Sequence, residues 1–373
     1  MAQIEIAEIS RPDKGDSLAS VSISGVESLS SYSWIETPTP KIAVPGSPAL
    51  WTPPLGHYHQ IKKDSGLVYI AQNAARHPDS PLEPLLRALY IAHPSFNIHT
   101  VDLVTDRNNV RKLLSFVNPS LEQNKREPFT IEVEVTKDTA IFSRSETAVY
   151  RFIGPKESMG YGHEFEKAYT TEIVDNGASH RRIITYDLGG MKLLVSYETG
   201  GYIWDPAQDD DETSSLTEPQ SPLLSKPSFA ASDKSALMIK EEGQVVALDS
   251  ILEIKTRTAK RLIPLAEVIP QMWVSQTPNL VRAYHKHGLF TCPNVENITE
   301  KVKEWEKAHR ADIKRLVTLI KNIISVVKEN GGKAVVRYDC QSDKLVVWKN
   351  DTGKKLLPDD LYARFEKDEA HLV

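Results

Sequence analysis

The sequence predicts a mixed α+β fold, a central and mostly antiparallel sheet flanked by helices, and three observations carry that prediction. Strict apolar/polar alternation fills "FTIEVEVTKDTAIFSR" (129–144) on both sides of Lys137-Asp138, the pattern of a hairpin. Two further strand pairs, "RRIITYDLGGMKLLVSYETGGYIWD" (181–205) around Gly189-Gly190 and "KAVVRYDCQSDKLVVWK" (333–349), enlarge the sheet. Segments with apolar residues at helical spacing lie between these pairs, including "PLEPLLRALYIAHP" (81–94) and a long amphipathic stretch over 296–329.

Taken in chain order, residues 1–33 read as a flexible N-terminal lead, with an edge strand at most, and residues 34–373 as one domain. "WIETPTPKIAVPGSPALWTPPLGH" (34–57) is dense in proline, which forbids helix and predicts an extended arm laid over the surface and pinned by Trp34 and Trp51. "VDLVTDRNNVRKLLSFVN" (101–118) has helical spacing, with Asp106 placed to cap it. "SMGYGHEFEKAYTTE" (158–172) reads as a helix entered through glycines. Residues 206–236 combine an acidic run with Ser and Pro, and predict a disordered insertion that acts as a spacer rather than a phosphorylation segment. A strand within 244–258, a helix near 263–276 and a strand at 280–285 complete the order.

Composition narrows the function. A net charge of -5 over 373 residues excludes a broadly basic nucleic-acid coat and confines any such binding to a local cleft. Two cysteines, Cys292 and Cys340, are too few for a disulfide framework and point to a reducing compartment. No apolar run is long enough to cross a bilayer, and "MAQIEIAEISRPDKGDS" lacks the basic-then-apolar order of a signal peptide, so the expectation is an intracellular protein of nucleus or cytoplasm, with no membrane partner. The phosphate loop G-x-x-x-x-G-K-S/T, the G-x-S-x-G elbow and the H-E-x-x-H zinc pair are all missing.

Chemistry concentrates in a few residues. In "ILEIKTRTAKR" (251–261), Glu253 and Lys255 stand two apart on a strand and so share a face. A carboxylate there can hold a divalent cation while the ammonium steadies an attacking water or a phosphate; the alternative is an ordinary ion pair on a solvated strand. Glu166 in "GYGHEFEKA" opens a helix and Glu198 in "LLVSYETGG" ends an apolar strand, and either acid can converge on the same cleft or simply serve its own element. Arg107 in "VTDRNNVRKLL" offers a bidentate fork for phosphate. Arg257 belongs to a basic patch, 255–261, that suits backbone contacts as well as a solvated turn.

In this order the motifs resemble the decapping-exonuclease (DXO-like) family of the PD-(D/E)XK nuclease superfamily. "GHEFE" (162–166) is similar to its G-Φ-x-Φ-E motif, with His163 in the first apolar place, "ETG" (198–200) to its E-Φ-D and "EIK" (253–255) to its E-Φ-K. "VTDR" stands where the family has an arginine motif, and "QMWVSQTPNLVRAYHKHG" (271–288) where it has a Trp, a Gln and a strand ending in glycine. "SYSWIETPTPKIAVPGSPALW" and "VDLVTDRNNVRKLL" resemble a divergent fungal branch.

The resemblance implies a PD-(D/E)XK core and metal-dependent hydrolysis of phosphodiester or cap-phosphate bonds at RNA 5′ ends. Mg²⁺ or Mn²⁺ would be held by Glu166, Glu198 and Glu253, with Lys255 positioning the nucleophile. Arg107, Arg257, Trp273 and Gln276 would contact substrate, core packing being the competing role for Trp273. It also implies an RNA 5′ end and a 5′-to-3′ exoribonuclease as partners. One departure stands out: Gly200 replaces the Asp that ends E-Φ-D. Asp205 and Asp249 are the acids within reach as substitutes, and the alternative function is a catalytically impaired, RNA-binding or scaffold relative.

Overall fold

The computed structural model describes residues 4–13, 21–121, 127–154, 157, 160–204 and 227–366. A twelve-stranded mixed sheet organises the chain. From one edge its strands are Glu5–Ser10, Lys344–Lys349, Lys333–Tyr338, Phe129–Thr136, Thr139–Ser145, Leu103–Asp106, Met191–Thr199, Gly177–Leu188, Ile23–Ile35, Lys41–Gly46, Met238–Gly243 and Phe229–Ala230. Most neighbours are antiparallel, while Leu103–Asp106 runs parallel to both Met191–Thr199 and Thr139–Ser145. The central strands are buried on both faces, so side chains one residue apart enter different cores. Leu103, Ile184 and Leu193 pack beneath the helices Arg107–Val117, Leu265–Ser275 and Arg310–Glu329, whereas Val104, Ile183 and Leu194 meet the helix Glu83–Ala92 on the other side.

A second sheet of eight strands holds Thr170–Thr171, Leu50–Trp51, Gly201–Tyr202, Ile251–Thr258, Asn279–Lys286, Leu289–Thr291 and Tyr58–Gln60 in that order, with Val295–Asn297 also on Asn279–Lys286. Gly201–Tyr202 follows directly on Met191–Thr199, so one stretch of chain passes from the large sheet into the small one. The Thr199 hydroxyl donates to the Leu252 carbonyl at 3.2 Å and ties the two together. A separate two-stranded ribbon pairs Gly66–Tyr69 with Tyr150–Ile153.

The hairpins, the glycine-entered helix and the helix 81–94 fall where the sequence predicts them. Four expectations change. The lead 1–33 is not simply flexible: Glu5–Ser10 does form the sheet edge, but Ile23–Ile35 is an interior strand, because Tyr32, Trp34 and Ile35 need a core. The proline-rich stretch is extended yet no surface arm; Lys41–Gly46 is an interior strand and Trp34 is fully buried, its indole N–H donating to Asn73 Oδ1 at 2.9 Å. Residues 101–118 split into a strand and a helix because the β-branched Val104-Thr105 precede Asp106, whose carboxylate accepts from Asn109 N at 2.8 Å and starts the helix there.

The long helix over 296–329 is two, Thr299–Ala308 and Arg310–Glu329. His309 makes the break, stacking on Trp305 at 4.5 Å while its Nδ1 bonds the Trp305 carbonyl at 2.8 Å. Of the insertion 206–236, residues 206–226 lie outside the described residues, and Phe229–Ala230 pairs with Met238–Gly243 as a short edge strand.

Candidate functional site

The site lies where the two sheets meet. Ile251–Thr258 is an interior strand of the smaller sheet, parallel to Asn279–Lys286, and its Leu252 and Ile254 fill a core with Phe165, Tyr169 and Phe290. Glu253 and Lys255 occupy the opposite face. The Glu253 carboxylate accepts from Lys255 Nζ at 2.7 Å on one oxygen and from Arg107 Nη1 at 3.0 Å on the other. Burial alone would raise its pKa, but the two cations outweigh it and hold the group down at about 2.

Arg107 is the first residue of its helix, projected there by the Asp106 cap, and its guanidinium lies 5.6 Å from the centre of the Tyr197 ring. Glu166 projects from Gly162–Tyr169, the helix whose Phe165 and Tyr169 pack on Ile251–Thr258. Burial, then the neighbouring carboxylates of Glu198, Glu253 and Asp64, push its pKa up to about 8 against the pull of Lys255. Gly160, at a φ of +105°, makes the turn into this helix, and its carbonyl accepts from Asp64 N at 3.0 Å. Asp64 Oδ1 in turn accepts from Glu164 N at 3.0 Å and caps the helix from far along the chain. His163 is exposed at the rim, which is why a polar residue is tolerated in that apolar place of the motif.

Two cavities flank the Glu253–Lys255 pair. The first, about 240 Å³, carries Arg107, Arg111, Arg144 and Arg181 together with Glu198. Arg181 and Glu198 are directly opposite on paired strands. Arg144 is engaged by Glu146 at 2.5 Å. Arg111 and Arg181 donate to the neutral oxygens of Asn108 and Ser196, at 3.5 and 3.3 Å, and neither has a carboxylate ion pair among the described residues. Gln271, 9% exposed, lines the same cavity with its amide nitrogen buried and without a hydrogen-bond partner, as is the amide nitrogen of Asn108. The second cavity, about 380 Å³, is formed by Asp64, Gly160 to His163, Glu166, Thr256 to Thr258 and His285.

Of the residues singled out from sequence, Arg107, Glu166, Glu198, Glu253 and Lys255 come together here. Arg257 reaches the rim of the second cavity, but Glu267 occupies its fork, with Nη1 donating at 2.9 Å. Trp273 is a correction: it is fully buried, its indole N–H bonds Glu306 at 3.2 Å and it packs against Trp305, so it belongs to the core. Gln276 is another, because it ends the helix in the left-handed region at φ 50° and bonds the Trp273 carbonyl at 2.5 Å, outside both cavities. Gln271, one turn earlier, is the glutamine that faces the site. Asp64, Arg111, Arg144 and Arg181 carried no motif of their own.

A divalent cation fits these residues poorly. Each Glu253 oxygen already faces a cation, Lys255 on one and Arg107 on the other, and Gly200 supplies no ligand. A side chain there would also be tight, since a Cβ at position 200 would stand 3.0 Å from the Ile254 backbone nitrogen and 3.2 Å from its Cγ1. Asp249 does not substitute. It lies in the 3₁₀ turn Leu248–Ser250 ahead of the strand and so does not share a strand face with Glu253, and Asp205 is outside the described residues. Among the described residues, no three Asp, Glu, His or Cys side chains are grouped closely enough to hold an ion.

The model of the family described as "Domain of unknown function (DUF8563)" matches residues 5–366. The chain belongs to the DUF8563 family. A search of curated proteins returns no match. Among solved structures, Schizosaccharomyces pombe Rai1 is similar at 12% identity and a TM-score of 0.57, over 92% of this chain and 99% of that one. Candida albicans Rai1, solved in complex with pU5-Mn²⁺, is similar at 12% identity and 0.54, over 98% and 98%. Kluyveromyces lactis Dxo1, solved with manganese, is similar at 10% and 0.55, over 94% and 99%. The mixed α+β architecture of this DUF8563 member is thus the fold of Rai1 and Dxo1, as its motifs suggested. Among the described residues no helix is long and apolar enough to cross a membrane.

Proposed function

We propose that this DUF8563 protein binds the phosphorylated 5′ end of RNA in the arginine-lined cavity and has lost efficient turnover. The observation that carries this reading is the set of donors in that cavity without acidic partners: Arg111, Arg181, and the orphaned amides of Asn108 and Gln271. A buried amide without a partner is costly unless a ligand completes it, and guanidinium forks match phosphate oxygens in pairs. The pU5 in the complex of Candida albicans Rai1 supports RNA as the ligand class. Arg107 and Lys255 extend the positive wall, with Glu253 fixing both.

The test is fluorescence anisotropy with 5′-phosphorylated and 5′-hydroxyl oligoribonucleotides. The phosphorylated end binds at least tenfold tighter, and Arg111→Ala with Arg181→Ala together weaken it by about 100-fold, the scale of two hydrogen-bonded charge contacts. Equal affinity for both ends removes the reading.

Hydrolysis of the bound end is the second reading, favoured by the field that Glu198, Glu253 and Asp64 exert together at Glu166 beside Lys255. It requires Mn²⁺-dependent release of product that disappears in Glu253→Ala. A 5′-to-3′ exoribonuclease partner, the resemblance's other implication, suits either reading.

A further inference from the structure

The ribbon of Gly66–Tyr69 and Tyr150–Ile153 turns an apolar face to solvent. Its register sets Leu67 opposite Phe152 and Tyr69 opposite Tyr150, and the two-residue period of a strand puts all four on one face. Leu67 is 51% exposed, Tyr150 56% and Phe152 67%. On the other face Ile153 is buried. A half-solvated ribbon ordinarily presents polar residues outward, so a contiguous aromatic face asks for an occupant. The ribbon is anchored, since the Ile70 and Ala71 amides both donate to the Val149 carbonyl at 2.9 and 3.0 Å, and the Arg76 guanidinium lies 4.7 Å from the centre of the Tyr69 ring.

Its position decides between occupants. Ala71, Gln72 and Asn73, next along the chain from Tyr69, line the arginine cavity, and Asp64, two residues before Gly66, lines the second cavity. At about 3.3 Å per residue, Tyr69 stands within roughly 10 Å of Gln72. The face is also small. Two strands of four residues, about 13 Å long and about 4.8 Å apart, make a face of roughly 100–150 Å², far short of the 800 Å² or so that each partner buries in a stable protein complex, yet long enough for successive bases of a single strand. Lys62, four residues before Gly66, pairs with Glu164 at 3.1 Å, and its exposed ammonium can turn to a phosphate.

We infer that this ribbon is a stacking platform for the bases of single-stranded RNA leading out of the arginine cavity, an assignment that rests on the RNA-binding reading above. Aromatic faces accept any base, so the platform confers dependence on strand length without sequence preference.

The experiment compares a 5′-phosphorylated uridine dinucleotide with a 5′-phosphorylated 12-mer of uridine, measured against the full chain. The wild type binds the 12-mer more tightly. Tyr150→Ala with Phe152→Ala lowers 12-mer affinity by about 20-fold or more and leaves the dinucleotide unchanged, while Phe152→Trp keeps 12-mer binding. Both positions are exposed, so thermal unfolding stays close to wild type. Unchanged 12-mer affinity in the double variant overturns the platform, including the case where the ribbon serves a protein partner, and so does a wild type that binds both RNAs equally. A wild type that binds neither overturns the RNA-binding reading itself and the platform with it.

Discussion

The two cavities on either side of Glu253 and Lys255 differ in what they lack. The arginine cavity has donors waiting for an anion: two guanidinium groups held only by neutral oxygens and two orphaned amides. The acidic side offers a cation less, because both Glu253 oxygens face Lys255 and Arg107, Glu166 sits among carboxylates that raise its pKa, and Gly200 brings no ligand. On the proposed reading, anion binding and cation binding are separable within one cleft. The first needs only positive charge near a pocket and survives local change. The second needs several carboxylates at set distances, so one missing ligand weakens it.

The largest expected effect is on the arginine side, the roughly 100-fold loss of affinity for 5′-phosphorylated RNA in Arg111→Ala with Arg181→Ala, with little change in Tm. Next, Gly200→Asp destabilises the fold by about 1–3 kcal/mol in urea unfolding, because its Cβ presses on the Ile254 backbone, and it restores no Mn²⁺-dependent hydrolysis. A gain of activity would mean that the strand end can shift to admit the acid, and would erase the contrast between the cavities.

The smallest effect reads Glu166 directly. Its pKa is raised from 4.5 to about 8, so its stabilising contribution is complete below pH 4.5 and is lost as pH rises through 8. Between pH 5 and 9, in the presence of a chelator, the wild-type Tm falls by about 3 °C more than that of Glu166→Gln. Parallel curves would place Glu166 away from the other acids.

Much of the site was legible because local rules carry it. The E-x-K spacing fixes a shared strand face, and Asp106 starts a helix at Arg107, so both cations of the Glu253 pair follow from a few adjacent residues. Asp64 caps a helix a hundred residues away, and Arg181 enters the cavity only through its pairing opposite Glu198; neither bears a local mark. Trp273 takes the core role that competed with substrate contact, while Gln276 was misread because the choice between Gln271 and Gln276 depends on where that helix ends. The fold class followed from alternation and helical spacing. The interior place of Ile23–Ile35 and Lys41–Gly46 did not, because strand order is set by contacts between distant segments.

The separation of the two sides is tested most directly by a crystal structure of the protein with a 5′-phosphorylated oligoribonucleotide and Mn²⁺. The expected density places the terminal phosphate against Arg111, Arg181 and the Gln271 amide, with no ion bound jointly by Glu166, Glu198 and Glu253. A manganese ion coordinated by all three glutamates, or a phosphate seated away from the arginines, would contradict it.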